Sequence, residues 1–267
     1  MIDLHTHILP FIDDGAEDME MSLAMLEIAA NDGITDIVVT PHFIPGSFDN
    51  TMEVVLEQCE RLTSAMKEKN LELRVYPGNE VFISPETPQL LSEGKICSLN
   101  RSRYVLIELP MSLVPEYTAS VLYEVRLQGY TPIIAHPERN VMIGKNPGIL
   151  AELVQQGCLA QVNATSITGL YGKDIQKVVM SLLDKGLVHF VSSDSHTCSG
   201  RSPKLSKARD IVRNRWGKET ARLLFETNGA CVINNSEILS CPLEMKGEGR
   251  RSWGSIFKKV LFQNLKL

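Results

Sequence analysis

Residues 104–136 read YVLIELPMSLVPEYTASVLYEVRLQGYTPIIAH and contain the strand–helix–strand pattern that decides the fold class. An apolar, β-rich run at 104–108 is followed by the amphipathic stretch 117–128 and then by a second apolar run at 132–136. Gly129 stands where the C-cap of the helix is expected. This order predicts two parallel strands joined by a crossover helix.

The same pattern recurs along most of the chain. Further strands are predicted at 2–7, 35–40, 73–80, 159–163 and 188–194, and further helices at 19–31, 52–70, 146–156 and 175–185. Seven strand–helix units predict an α/β fold, a TIM-barrel-like (β/α) barrel with one strand fewer than the usual eight. A doubly wound open sheet is the alternative.

Composition and charge narrow the class of protein. The chain has 267 residues, 43% of them hydrophobic and 22% charged, which suits one large globular domain. The net charge of −5 makes it a poor candidate for binding nucleic acid. No apolar run approaches the ~18 residues of a membrane span. The N-terminus also lacks the basic and apolar segments of a secretory signal. We therefore expect a cytoplasmic protein.

Histidines and carboxylates recur at the ends of the predicted strands. His5 and His7 lie two apart on a strand, so both imidazoles face the same side. The strand ends of a barrel converge on one face, where carboxylates gathered without a cation would repel one another. Mixed imidazole and carboxylate ligands suit manganese, iron or zinc. The candidate metal ligands are His5, His7, Asp14, His42, Glu80, Glu108, His136, Asp194 and His196.

Two arginines follow the last histidines of this series. Arg139 comes three residues after His136, and Arg201 comes five residues after His196. The planar guanidinium group suits bidentate contacts with a phosphate. Metal ligands together with these arginines predict a phosphate-ester substrate, with both arginines binding the phosphate and acting in catalysis.

The six cysteines do not predict a disulfide or a cysteine nucleophile. They are widely scattered without a C-x-x-C pair, which favours free thiols. Cys97 and Arg103 have the C-x5-R spacing of cysteine-dependent tyrosine phosphatases. The intervening loop contains no glycine and runs directly into a predicted strand, which disfavours that chemistry.

The combined motifs resemble the PHP (polymerase and histidinol phosphatase) superfamily. Within it, the chain is similar over residues 1–240 to the manganese-dependent bacterial tyrosine-protein phosphatases of capsule and exopolysaccharide loci, the CpsB/CapC/YwqE type. The motifs that carry the resemblance are DLHTH at 3–7, TPH at 40–42, GNE at 78–80, IE at 107–108, AHPER at 135–139 and SDSH at 193–196.

The resemblance implies a distorted seven-stranded barrel that binds two or three ions, with manganese favoured and iron or zinc as alternatives. His5, His7, Glu80 and Asp194 would bind the first ion, Glu80, Glu108 and His136 the second, and Asp14, His42 and His196 the third. A water shared by two cations would attack phosphorus in line. Phe11 departs from the family pattern, where a smaller residue is frequent.

The implied substrate is the phosphorylated, tyrosine-rich tail of a bacterial tyrosine kinase that controls capsule or exopolysaccharide synthesis. A small-molecule phosphomonoesterase, such as a histidinol-phosphatase, is the first alternative. A PHP phosphodiesterase is the second, and the acidic chain disfavours it.

The C-terminal segment 246–267 differs from the phosphatase domain predicted for residues 1–245. It contains six basic residues and one acidic residue. Apolar residues from Trp253 to Leu265 recur there at helical spacing, which predicts a basic amphipathic tail. Such a tail would contact a kinase or a membrane surface. The alternatives are a final helix packed on the barrel and a partly disordered end.

Overall fold

The computed structural model describes residues 1–238. The chain alternates strands and helices, as the sequence predicts. The strands are β1 Ile2–Thr6, β2 Asp36–Val39, β3 His42–Ile44, β4 Phe48–Asp49, β5 Arg74–Pro77, β6 Glu80–Phe82, β7 Tyr104–Glu108, β8 Thr131–Ala135, β9 Leu159–Asn163 and β10 Phe190–Ser192. The helices are α1 Met19–Asn31, α2 Met52–Glu68, α3 Thr87–Ser92, α4 Thr118–Leu127, α5 Val141–Lys145, α6 Gly148–Gln155, α7 Ala164–Thr168, α8 Lys173–Asp184, α9 Ser206–Trp216, α10 Lys218–Arg222 and α11 Asn228–Ile233.

The strands form two sheets that are almost entirely parallel. One sheet has the order β1-β2-β5, and the other has the order β10-β9-β8-β7-β6-β3-β4. Within residues 1–238, only the short β3–β4 pair is antiparallel. The predicted mixed α/β fold with parallel strands and crossover helices is therefore confirmed.

Backbone contacts also connect β1 with the segment that follows β10. The His7 amide donates to the Ser195 carbonyl oxygen at 2.8 Å, and the Asp194 amide donates to the His5 carbonyl oxygen at 2.9 Å. Thr6 and Ser195 form an isolated parallel bridge. The first and last strands of the series are thus neighbours, although they belong to different sheets.

The prediction of a single strand at 73–80 is wrong, because the strand is interrupted at Gly78 and Asn79. A Cβ atom at Gly78 would lie 2.8 Å from the Leu99 side chain, so only glycine permits this close packing. The side-chain nitrogen of Asn79, Nδ2, donates to the Pro41 and Asn50 carbonyl oxygens. Glu80 consequently begins a new strand, β6, that pairs with β3 and β7.

The helices bury their apolar faces against the sheets. On α2 these residues are Val55, Cys59, Leu62 and Met66, which recur every three or four positions. A second apolar cluster joins side chains from strands of both sheets. Its members include Leu4, Val38, Leu106, Ile133 and Phe190, from β1, β2, β7, β8 and β10. Strands of both sheets therefore pack into this second cluster.

The predicted tail at 246–267 and the domain boundary at 245 lie outside the described residues and stay predictions. Within residues 1–238, no helix combines the length and apolar character needed to cross a membrane.

Candidate metal centre

The ends of the strands and the segments next to them bring together the nine residues predicted as metal ligands. His5 lies in β1, His42 begins β3, Glu80 begins β6 and Glu108 ends β7, while the others lie in the segments that follow β1, β8 and β10. His136 and Asp194 have positive φ angles of 30° and 52°. Non-glycine residues rarely adopt such angles, and they concentrate at functional sites.

Three overlapping groups of ligand atoms lie close enough to bind an ion, with all atoms of each group within 4.8 Å of one another. The groups are His7, Asp14, His42 and His196; His5, His7 and Glu80; and His42, Glu80 and Glu108. His136 adjoins them, because its Nε2 atom lies 2.8 Å from Glu80 Oε1. Asp194 Oδ1 lies 3.5 Å from His5 Nε2.

Glu80 occupies the middle of the cluster. Its Oε2 atom lies 3.3 Å from the Nε2 atoms of both His5 and His7, and 3.1 Å from His42 Nδ1. Within the described chain, Glu80 Oε2 and His42 Nδ1 are nevertheless buried without a hydrogen-bond partner of acceptable geometry. Buried polar atoms normally find a partner, so these two atoms fit a cation placed between them.

Three histidines direct an Nε2 atom into the cluster because their Nδ1 atoms face hydrogen-bond acceptors. The acceptors are Gln161 Oε1 for His5, Asp13 Oδ2 for His7 and the Asp194 carbonyl oxygen for His196. A proton on Nδ1 leaves the Nε2 lone pair of a neutral imidazole free to bind a metal. The Nε2 atoms of His5 and His7 are only 3.2 Å apart, so their lone pairs would repel each other without a positive charge nearby.

The electrostatics of the cluster also suit cations. Burial alone would lower the pKa of His7, but Asp13 and Glu80 raise it well above the usual value. Burial would raise the pKa of Glu80, yet the surrounding histidines lower it. A site in which carboxylates hold protons on imidazoles also attracts divalent ions, which displace those protons on binding.

The cluster has a closed floor and an open rim. His5, His7, Glu80 and Asp194 have side chains at most 1% exposed. Asp14, in contrast, is 56% exposed. The cluster is therefore open to solvent on the side of Asp14.

Arg139 and Arg201 lie at this rim. Their side chains are 24% and 28% exposed, and each donates to a different oxygen of Asp194, at 2.9 Å and 2.7 Å. The Arg139 guanidinium group also stacks on the Tyr171 ring, 5.0 Å from its centroid. Two positive charges therefore lie beside Asp194, and both are partly exposed to solvent.

The model of the family described as "Capsular polysaccharide synthesis, CpsB/CapC" matches residues 1–234. The chain belongs to the CpsB/CapC family. It is 37% identical to the tyrosine-protein phosphatase YwqE of Bacillus subtilis over 242 residues, which cover 91% of this chain and 95% of YwqE. It is 36% identical to the putative tyrosine-protein phosphatase CapC of Staphylococcus aureus, with 89% of this chain and 93% of that protein covered.

A solved structure of the CpsB/CapC family has the same fold. It comes from crystal structures of YwqE from B. subtilis and CpsB from Streptococcus pneumoniae, described as unique metal-dependent tyrosine phosphatases. The TM-score is 0.88 at 36% identity, and the match covers 91% of this chain and 98% of that chain. The resemblance inferred from the sequence motifs is therefore confirmed.

Cys97 and Arg103, which have the C-x5-R spacing, do not form a cysteine-phosphatase site in this CpsB/CapC-family chain. Cys97 is fully buried, and burial raises the pKa of its thiol to about 12, so the reactive thiolate is disfavoured. Arg103 binds the side-chain and backbone oxygens of Asn235. The spacing is a coincidence of sequence.

Phe11 and His189 are not among the grouped ligand atoms. Phe11 is 74% exposed and has a φ angle of 64°. His189 precedes β10, where its Nδ1 atom accepts a hydrogen bond from the Ala160 amide and burial lowers its pKa to about 4. The His189 ring therefore has a hydrogen-bond partner in the backbone of β9.

Sequence reasoning missed the polar residues that contact the ligands. Asp13 accepts a hydrogen bond from His7 Nδ1 at 2.7 Å, although only its neighbour Asp14 was selected as a ligand. Gln161 and Asn163 contact His5 and Asp194 from β9. Their alternate spacing on a strand was the available signal, but neutral amides are common and carry no charge that marks a site.

Proposed function

We propose that the chain is a metal-dependent protein-tyrosine phosphatase. The observation that carries this proposal is the convergence of nine imidazole and carboxylate side chains beside two arginines, in a family whose relatives are named tyrosine-protein phosphatases. Such a site combines metal ligands with groups that bind a phosphoryl oxygen.

Two or three divalent ions would be held by these nine side chains. His5, His7, Glu80 and Asp194 are assigned to the first ion, Glu80, Glu108 and His136 to the second, and Asp14, His42 and His196 to the third. Mixed nitrogen and oxygen ligands suit Mn²⁺, with iron and zinc as alternatives. The proximity of His7 to the third group and of His42 to the second supports ions that share neighbouring ligands.

The chain's own residues bind and orient the ester. Arg139 and Arg201 would leave Asp194 in part to donate hydrogen bonds to the phosphoryl oxygens, which would hold the phosphoryl group beside the ligand cluster. When bound, divalent cations supply a water of lowered pKa and neutralise negative charge on the phosphoryl group. No side chain needs to form a covalent phosphoenzyme, in keeping with the buried, protonated Cys97.

The proposed substrate is phosphotyrosine in the flexible, tyrosine-rich tail of a bacterial tyrosine kinase that controls capsule or exopolysaccharide synthesis. The family description and the names of the relatives support this choice. The partly exposed Asp14 and arginines support it too, because a protein segment needs an open rim rather than a closed pocket.

We further propose that the two sheets are parts of one distorted seven-stranded barrel. The backbone hydrogen bonds between the β1 segment and residues 194–195 support closure between the first and last strands. The apolar cluster shared by strands of both sheets supports it as well. In such a barrel the candidate ligands lie at the carboxyl-terminal face.

A substrate comparison tests the proposed specificity. At equal Mn²⁺ loading, we expect kcat/KM for a phosphotyrosine peptide to exceed that for histidinol phosphate or a phosphodiester by at least about tenfold, a difference of ~1.4 kcal/mol in transition-state binding. A preference for histidinol phosphate would establish the small-molecule alternative. A preference for the diester would establish a phosphodiesterase.

A further inference from the structure

Two buried amides on β9 connect a histidine to an aspartate of the metal centre. Gln161 and Asn163 are fully buried and lie two apart on the strand, so both face the same side. Neither is a candidate ligand. Their side chains connect His5 Nδ1 with Asp194 Oδ2, two atoms of residues far apart in the sequence.

The contacts form an uninterrupted chain of hydrogen bonds. Asn163 Nδ2 donates to Asp194 Oδ2 at 2.7 Å, and Gln161 Nε2 donates to Asn163 Oδ1 at 3.0 Å. Gln161 Oε1 then accepts from His5 Nδ1 at 2.9 Å. Each amide uses its nitrogen toward Asp194 and its oxygen toward His5.

The direction of this chain follows from the aspartate. An ionised carboxylate only accepts hydrogen bonds, so Asn163 must turn its nitrogen toward Asp194. Its oxygen then requires the Gln161 nitrogen, and the remaining Gln161 oxygen requires a proton on His5 Nδ1. We propose that Gln161 and Asn163 are positioning residues, a two-amide relay that transmits the orientation of Asp194 to His5 and keeps the His5 Nε2 lone pair directed at the metal centre.

The surroundings of the relay hold it in place. Glu138 Oε1 accepts hydrogen bonds from the Asn163 backbone amide at 2.9 Å and from Ser166 Oγ at 2.7 Å. This fixes the end of β9, from which the Asn163 side chain projects. The opposite His5 tautomer would direct an Nε2 hydrogen toward the ligand cluster and block metal binding by that atom.

The inference rests on the proposed metal centre, but not on the identity of the substrate. Gln161→Leu removes the acceptor for His5 at nearly constant volume, and Asn163→Ala removes the contact with Asp194. Asn163 does not touch His5 in the relay. Gln176→Leu is a matched control, because Gln176 donates to the Ile167 carbonyl oxygen outside the metal centre.

The affinity for Mn²⁺ alone, measured by calorimetry, is the first readout. We expect Gln161→Leu and Asn163→Ala each to weaken it about 10- to 100-fold, as for other partners of metal ligands, and Gln176→Leu to leave it unchanged. In the double variant, the loss of Mn²⁺ affinity should be close to the larger of the two single losses, because breaking either link already disconnects the relay. Independent roles would instead multiply the two losses.

Nitrogen NMR of labelled histidine in the metal-free protein is the second readout, at a pH at which His5 is neutral. Wild type should hold the His5 proton on Nδ1, whereas Asn163→Ala should give a mixture of the two tautomers. Asn163→Ala therefore allows both measurements, Mn²⁺ affinity and the His5 tautomer, even if Gln161→Leu does not fold. Wild-type affinity and an unchanged tautomer in Asn163→Ala, or multiplied losses in the double variant, would overturn the relay. A wild-type protein that binds no Mn²⁺ would overturn the metal centre instead.

Discussion

Glu80→Gln is expected to lower phosphotyrosine hydrolysis by at least about three orders of magnitude, since catalysis at a multi-ion site depends on the ions it holds. Glutamine keeps the volume of the side chain but removes the negative charge that faces His5, His7 and His42. A neutral amide attracts a divalent cation less than a carboxylate does at the same position. The variant should also bind fewer Mn²⁺ ions per chain than wild type.

The measurement combines turnover of a phosphotyrosine peptide with metal content and a thermal unfolding curve in chelator. Glu124→Gln is the matched control, because Glu124 is exposed on α4. We expect the control to behave as wild type in every readout. If Glu80→Gln retained both full turnover and full Mn²⁺ content, Glu80 would have no role as a metal ligand.

The second large effect is expected at the arginines of the rim. Arg139→Ala and Arg201→Ala should each lower kcat/KM for the phosphotyrosine peptide about 10²- to 10³-fold, as expected for loss of a donor to a developing phosphoryl charge. Lysine at either position should restore only part of the loss, because it keeps the charge but not the planar fork.

Mn²⁺ affinity distinguishes a phosphate-binding role from a structural one. Both arginines donate to Asp194, so their removal leaves the negative charge of Asp194 less neutralised and should not weaken cation binding. Arg213→Ala on α9, whose partner Asp210 is also half-exposed, serves as the control. A fall in kcat/KM that tracks a fall in Mn²⁺ affinity would contradict direct contact with the substrate.

Regular elements were predictable because apolar periodicity and helix caps are local signals. The helix predicted at 19–31 is α1, and the strands predicted at 104–108 and 159–163 are β7 and β9, with unchanged bounds. The parallel arrangement followed from the strand–helix alternation. The candidate metal ligands were predictable too, because the ends of parallel strands converge at one edge and these ends carry histidines and carboxylates.

The interruption at Gly78 and Asn79 could not be read from periodicity. It depends on contacts with residues distant in sequence, above all the packing of Gly78 against Leu99 and the bonds of the Asn79 side chain to two carbonyl oxygens. The relay residues Gln161 and Asn163 could not be predicted from the sequence for a similar reason. Their role arises only when side chains of β9 reach His5 and Asp194, which is a property of the folded chain.

Hydrolysis of a phosphotyrosine peptide, measured after metal removal and after thiol alkylation, tests most directly whether this cluster is the catalytic centre. We expect chelation to abolish turnover, Mn²⁺ to restore it, and alkylation of the accessible thiols, such as that of exposed Cys198, to leave it intact. Full turnover in chelator, combined with inactivation by alkylation, would contradict metal catalysis at these nine side chains and would assign the chemistry to a cysteine.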